Sequence, residues 1–356
     1  NIGDWSSDVC SSDLNHTISS NYIGGSSASC GGSAWTNNTT TGFYGIYLTI
    51  GTATASNIQG NTIQNISLTN TTTITGSKFY GIYINTGLVN VGTTTGNTIG
   101  HATTTGSISL SGFNSTPNSH IMIAGSLAFT GSRFENNLIA NISYDGTSAS
   151  TPAMYGITLN GNARKNNIYS IGTTSATPTP SIYGIAVIGS GGGELSNNFI
   201  ALTGGSATNP TLYGVYDNTA TGAIYNFYHN SINISGAAPT TASTYGFYRG
   251  STSTSTYVLK NNIIANQRTT GGTGFQYGIY VATTGNFTSN YNDIFAAGTS
   301  SGPIGYYAAT KNTFANWTAI PSDANSISTA PNFISSTTDL HLTSISLAAG
   351  NAALNA

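Results

Sequence analysis

The sequence predicts an all-β solenoid, a parallel β-helix of roughly ten coils joined by Thr/Ser/Gly-rich loops. Three observations carry this. A Tyr-Gly-aliphatic triplet begins at Tyr44, Tyr80, Tyr155, Tyr183, Tyr213, Tyr245 and Tyr277, the later copies 28 to 32 residues apart. A second beat, an Asn two residues before an apolar residue, keeps the same step at Asn21, Asn61, Asn97, Asn137, Asn167, Asn198, Asn230, Asn262 and Asn292. Helical periodicity is essentially absent, whereas the triplet regions alternate every second residue. Self-similarity at such a period marks supersecondary units stacked in one direction.

The elements follow coil by coil. In the run FYGIYL, Tyr44, Ile46 and Leu48 share one face of a strand while Gly45 and Tyr47 share the other, because successive strand side chains point to opposite faces. The set returns at Tyr80, Ile82, Ile84 and at Tyr155, Ile157, Leu159, so this face is expected to point inward. Between Gly81 and Gly156 the triplet skips once, and His120-Ile121-Met122-Ile123 marks a degenerate coil. The Asn beat opens short second strands such as Asn137-Leu138-Ile139, Asn198-Phe199-Ile200 and Asn262-Ile263-Ile264. Stretches such as 172–180, rich in Thr, Ser, Gly and Pro, have no period and read as loops.

Stacking sets equivalent positions of neighbouring coils about 4.8 Å apart, the strand spacing of a sheet. The Asn beat then becomes a ladder of side-chain amides satisfying one another at a tight turn. A second polar column, Asn136, Asn166, Asn197, His229 and Asn261, runs beside it, and an inward column of rings from Tyr155 to Tyr277 stacks face on face.

Composition narrows the function. Charged residues make up 5% of the chain, against roughly 25% in an average globular protein. Residues Asp4 to Leu14, DWSSDVCSSDL, read as one frame of a short-read sequencing adapter, so 1–14 is set aside as an artefact. Without Asp4, Asp8 and Asp13, seven of the ten acids remain against eight Lys and Arg. Near-neutrality argues against nucleic acid and anionic membrane, which need clustered cations, and no apolar stretch is long enough for a membrane helix. Cys30 is then the sole thiol, so no disulfide framework forms. The expected organisation is a β-helix over 15–310 and its closing coils over 311–356, the whole being the interior of a longer secreted chain and monomeric within it.

The strings KNNIIAN at Lys260 to Asn266, YHNSINIS at Tyr228 to Ser235, and APNFI with DLHLTS between Ala330 and Ser344 resemble the right-handed parallel β-helix repeat proteins. The likeness covers about residues 15 to 350 and is closest to the secreted bacterial surface proteins of this pectate-lyase-like superfold. It implies a right-handed helix. It leaves function open, because the superfold hosts lyases, hydrolases, phage tailspikes, adhesins and inert spacers. The coils here are longer than the family's usual coil, so no family active site carries over.

A polysaccharide lyase of that type would need clustered Asp and Glu for calcium and an Arg or Lys base. The available acids, Glu135, Asp145, Glu194, Asp217, Asp293, Asp323 and Asp339, place no two in one column of adjacent coils, so neither a calcium cage nor paired hydrolase carboxylates arise from stacking. The five His lack metal-ligand spacing and no G-x-S-x-G occurs. No catalytic residue, metal or cofactor is therefore expected.

Two candidate sites remain. Asp217 and Arg249 occupy the third position after the triplet Gly in consecutive coils, where other coils carry Leu48, Ile84, Leu159, Val187 and Val281. They read either as holding an acidic or hydroxyl-rich ligand or, more simply, as an ion pair at a coil corner. Gly214, Gly246 and Gly278 beside Tyr216, Tyr248 and Tyr280 read as a shallow outward strip with flat aromatics suited to sugar rings, interrupted earlier by Thr158 and Ala186. Its plainer reading is a strand-stabilising aromatic column. Glu135 and Lys165 are expected to pair between rungs with no function. The runs Thr71–Thr73, Thr93–Thr95 and Thr103–Thr105 fall in loops of unequal coils, which disfavours an ice-binding ladder. The sequence thus points to a secreted or cell-surface β-helix acting as adhesin or rigid spacer with a polysaccharide or cell-surface glycan as partner. The alternative is a carbohydrate-active lyase or hydrolase of the same superfold.

Overall fold

The computed structural model describes residues 15–343 except 39–41, 71–77, 113–118, 146–151, 175, 177–178, 208, 221, 238–240, 270–271 and 298–303. The adapter-like segment 1–14, the run Thr71–Thr73 and the final residues 344–356 lie outside the described residues. The chain is a parallel β-helix. Nine strands from Phe43–Thr49 to Gly305–Tyr307 pair in parallel as the triplet sheet, and nine from Tyr22–Ile23 to Asp293–Ala296 form the Asn sheet. A third sheet of nine, from Thr17–Ser19 to Phe287–Asn290, holds the segments before each Asn. The stack is thus shorter than the ten coils expected.

Coil equivalences read from the sequence hold as strand register. Tyr183, Tyr213, Tyr245 and Tyr277 are successive partners, and Asp217 is paired with Arg249. Ile121 of the degenerate coil sits between Tyr80 and Tyr155. The interior is filled by the aliphatics of all three sheets, such as Ile185, Ile200 and Leu195, all fully buried.

Which way the triplet tyrosine points is a correction. Leu212, Val215 and Asp217 are buried while Tyr213 and Tyr216 are half-buried, and the rings of Tyr213 and Tyr216 meet at 5.0 Å. Residues three apart share a face only if strand alternation breaks between them, and it breaks at Gly214. A Cβ there would lie 2.4 Å from Ile232 Cγ2 and 2.4 Å from the carbonyl oxygen of Gly246. Gly214 and Gly246 therefore face inward, each accommodating an Asn-sheet isoleucine, Ile232 and Ile264. The two sequence beats are halves of one packing unit, and both tyrosine columns lie outside.

The Asn ladder runs Asn21, Asn61, Asn97, Asn137, Asn166, Asn198, Asn230, Asn262, Asn292. From Asn61 to Asn262, each Oδ1 accepts from the backbone N–H and the Nδ2 of the preceding Asn, and each Nδ2 also donates to a third-sheet carbonyl. Asn166, not Asn167, is the rung. The residue before each rung from Asn137 onward is left-handed: Asn136, Lys165, Asn197, His229, Asn261 and Tyr291 have φ of 55 to 58°, a region in which Asn is enriched. Asn166 therefore leaves the second polar column and Lys165 joins it. The slip also moves the charged rung: Glu135 lies beside Arg164, with Arg164 Nη1 3.8 Å from its Oε1, and not beside Lys165.

Residues 311–343, where closing coils were expected, do three things. Thr310–Lys311 turns antiparallel onto Gly305–Tyr307. A short helix, Phe314–Thr318, then seats fully buried Trp317 over Gly305 at the end of the core. Trp317 Nε1 donates to Asp323 Oδ2 at 2.8 Å, Ser289 Oγ donates to the same oxygen at 2.6 Å, and Ser326 Oγ accepts from the N–H of Asn292. Finally the hairpin Phe333–Ser335 with Asp339–Leu342 folds back over the outer face of the Asn sheet. There Phe333 and Leu340 pack with Ala140, Tyr169, Ala201 and Ala265, Ser336 accepts from Asn233 Nδ2, and His341 meets the Phe199 ring edge-on.

Candidate functional site

The inversion at each triplet glycine gathers tyrosines into a ridge on the outer face of the triplet sheet. One column comprises Tyr155, Tyr183, Tyr213, Tyr245 and Tyr277, near-parallel rings 4.4 to 5.6 Å apart. The other comprises Tyr216, Tyr248, Tyr280 and Tyr306, at 5.3, 5.0 and 4.4 Å. Rings of the two columns meet at 71 to 85°. Both columns repeat along one axis yet are nearly perpendicular in plane, so the rings lean in opposite senses as a herringbone, an arrangement that aromatic quadrupoles favour. Tyr44, Tyr47, Tyr80 and Tyr83 begin the same pattern at the other end.

This geometry departs from an open strip of flat aromatics beside glycines. Ring neighbours cover one another's faces, and the glycines are on the opposite side, so a ligand meets ring edges and rows of hydroxyls. Burial, reinforced by neighbouring phenols, pushes Tyr245, Tyr248 and Tyr277 up to about 12 and Tyr213 higher. At neutral pH the ridge is a set of uncharged hydroxyls that both donate and accept. Tyr306, which extends the second column, carries no triplet; its signal is its register with Tyr280.

Tyr216, Tyr248 and Tyr280 are thus brought together, but Asp217 and Arg249 are not with them. Both are 0% exposed on the inward face of the same strands. Asp217 Oδ1 accepts from the N–H and Oγ1 of Thr219, and its Oδ2 from Ser253 Oγ at 2.5 Å. Ser253 Oγ in turn accepts from Arg249 Nε at 3.4 Å, so the serine bridges the pair. Arg249 Nη1 donates to the carbonyls of Thr283 and Gly285, and Nη2 to that of Ser255 at 2.6 Å. Its charge lies 6.0 Å from the Tyr257 ring centroid. These bonds tie the loops 250–255 and 283–285 to the strand ends, which is the work of a corner clamp.

Among the described residues the other acids form no paired-carboxylate constellation. Glu135 lies between Arg133 and Arg164, and Arg164 reaches on to Glu194 at 3.2 Å, so cations separate the carboxylates. Asp293 accepts from the Thr329 N–H, and burial raises its pKa to about 6. Among the described residues no group of three or more His, Cys, Asp or Glu is placed to hold a metal, and no helix is long and apolar enough to cross a membrane. Comparison with protein-family models, curated proteins and solved structures gives no match. The fold and the ridge define the class: a parallel β-helix with an outer tyrosine herringbone.

Proposed function

We propose that this β-helix is a non-catalytic rod, secreted or displayed at a cell surface, that serves as adhesin or spacer and holds an extended glycan along its tyrosine ridge. The observation that carries the reading is the ridge: four successive second-column hydroxyl positions, Tyr216, Tyr248, Tyr280 and Tyr306, on one outer face. Their repeat of about 4.8 Å is close to the rise of a saccharide unit, so successive sugars can meet equivalent hydroxyls. The separation of the carboxylates by arginine and the burial of Asp217 and Arg249 support a binding rather than a hydrolytic role.

The test reads glycan-array binding and the release of reducing or unsaturated ends from the same polysaccharides. Tyr216→Phe with Tyr248→Phe keeps the ring packing and removes two hydroxyls. Array signal without product, weakened at least tenfold in this variant, supports the proposal. Product release by the parent protein overturns the non-catalytic reading in favour of a lyase or hydrolase. Absence of any array signal removes the glycan and leaves the spacer.

A further inference from the structure

Two arginines are fully enclosed in the C-terminal half, and their surroundings differ sharply. Arg249 donates through Nε, Nη1 and Nη2 to four acceptors, with the Asp217 carboxylate one serine away. Arg268 is 1% exposed. Its guanidinium makes a single hydrogen bond, Nη2 to the carbonyl oxygen of Thr203 at 3.2 Å, and its Nε and Nη1 are buried without a hydrogen-bond partner. An enclosed guanidinium without a counter-charge is strongly unfavourable.

The position explains the shape of the site. Asn266 is paired with Ile234, which places Arg268 next to Gly236 one coil back, and its side chain crosses that coil to reach Thr203 two coils back. Gly236 leaves the passage open, since a Cβ there would lie 2.8 Å from the same Thr203 oxygen. Arg268 Nε and Nη1 are therefore two enclosed donors with no acceptor among the described residues.

No carboxylate of the described chain is left to serve them. Glu135 and Glu194 are held by Arg133 and Arg164, Asp217 by Thr219 and Ser253, Asp293 by Thr329, Asp323 by Trp317 and Ser289, and Asp339 by His341, while Asp145 is exposed. The neighbouring loop sequences 206–210, 236–243 and 269–275 contain no acid. Burial lowers Arg268 to about 10 with no acid opposing the shift, so the group is still cationic at neutral pH.

We propose that the corner where Arg268 crosses Gly236 towards Thr203 is a binding site for one small monoanion, of halide or formate size, that completes the fold as an internal counter-ion. The near-complete burial excludes the carboxylate of a polymer, so this site is separate from the tyrosine ridge.

The test is thermal unfolding of the intact protein in a buffer whose only anion is gluconate, titrated at constant ionic strength with chloride, bromide or formate. The parent protein is expected to gain roughly 2 °C at about tenfold excess over the half-saturating concentration, and Arg268→Leu to gain nothing. Saturation with halides alone, or with formate too, tells a spherical site from one that accepts a carboxylate. No anion-specific gain in the parent, or an equal gain in Arg268→Leu, overturns the proposal. Should Arg268→Leu fail to fold, bromide-soaked crystals of the parent decide: anomalous density beside Arg268 supports the site, and its absence at saturating bromide refutes it.

Discussion

Asn166 and Asn167 are adjacent and chemically identical, yet the structure gives only the first a place in the ladder. Asn166 Oδ1 accepts from the N–H of Asn137 at 3.1 Å and from Asn137 Nδ2 at 3.0 Å, and its Nδ2 donates to the Phe134 carbonyl at 2.8 Å and to Asn198 Oδ1 at 2.9 Å. Truncation to alanine removes all four bonds. Asn137 Nδ2 keeps Val91 and Asn198 Oδ1 keeps the Asn166 N–H, but the Asn137 N–H and the Phe134 carbonyl lose these partners in a buried turn. At about 1–3 kcal/mol for each group stripped of its bond, Asn166→Ala is expected to cost roughly 2–6 kcal/mol. Asn167 is half-buried between Leu138 and Phe199, and Asn167→Ala is expected to stay within about 0.5 kcal/mol. Urea unfolding followed by circular dichroism measures both. Equal costs, or a neutral Asn166→Ala, would refute the register and with it the ladder as a source of stability.

Three further outcomes follow from the same geometry. Gly246→Ala places a methyl 2.5 Å from Ile264 Cγ2 and 2.6 Å from the Gly278 carbonyl; it is expected to destabilise by about 1–3 kcal/mol, seen as a lower urea midpoint. Arg249→Leu leaves Asp217 enclosed without its countercharge and is expected to cost about 3–5 kcal/mol, largely recovered by adding Asp217→Leu; glycan binding by the double variant should match that of the parent, because the pair faces away from the ridge. Asp293, raised to about 6 by burial, binds its proton more tightly folded than unfolded, so its contribution is present at low pH and is lost as pH rises from about 4 through 6. Asp323, also raised by burial, adds a slope of the same sign, so the difference in melting temperature between the parent and Asp293→Asn across this window isolates Asp293. A parent whose stability rises there relative to Asp293→Asn contradicts the assignment.

The repeat was legible because stacking turns alignment into contact. Equivalent tyrosines 30 or 32 residues apart became register partners, and the pairing of Asp217 with Arg249 was correctly placed in adjacent rungs. What misled is local. Strict alternation puts Tyr213 on the face of Val215, but a glycine with no Cβ lets two successive backbone positions face inward, and the tyrosine moves outside. Asn166-Asn167 could not be phased because the shortened coil there, 29 residues from Asn137 to Asn166, leaves two equal candidates. The hairpin over the Asn sheet stands where the sequence predicts closing coils, although its landing surface leaves a trace: Ala140, Ala201 and Ala265 recur at the outward position of alternate Asn strands, with Tyr169 and Asn233 between them, where a solvated face would be more uniformly polar.

That hairpin has a consequence for how the rod comes apart. A solenoid held only by nearest-neighbour contacts frays from its ends one coil at a time. Here the chain leaves the last rung through Thr329 on Asp293, bonds Asn233 two rungs earlier and reaches Phe199 in the rung before that. The last coil cannot peel away without first releasing a clasp that grips coils behind it, so the C-terminal end should open as one cooperative block. Its backbone amides, from Phe199 to Asp293, are then expected to exchange with deuterium at a common rate rather than in a gradient from the tip.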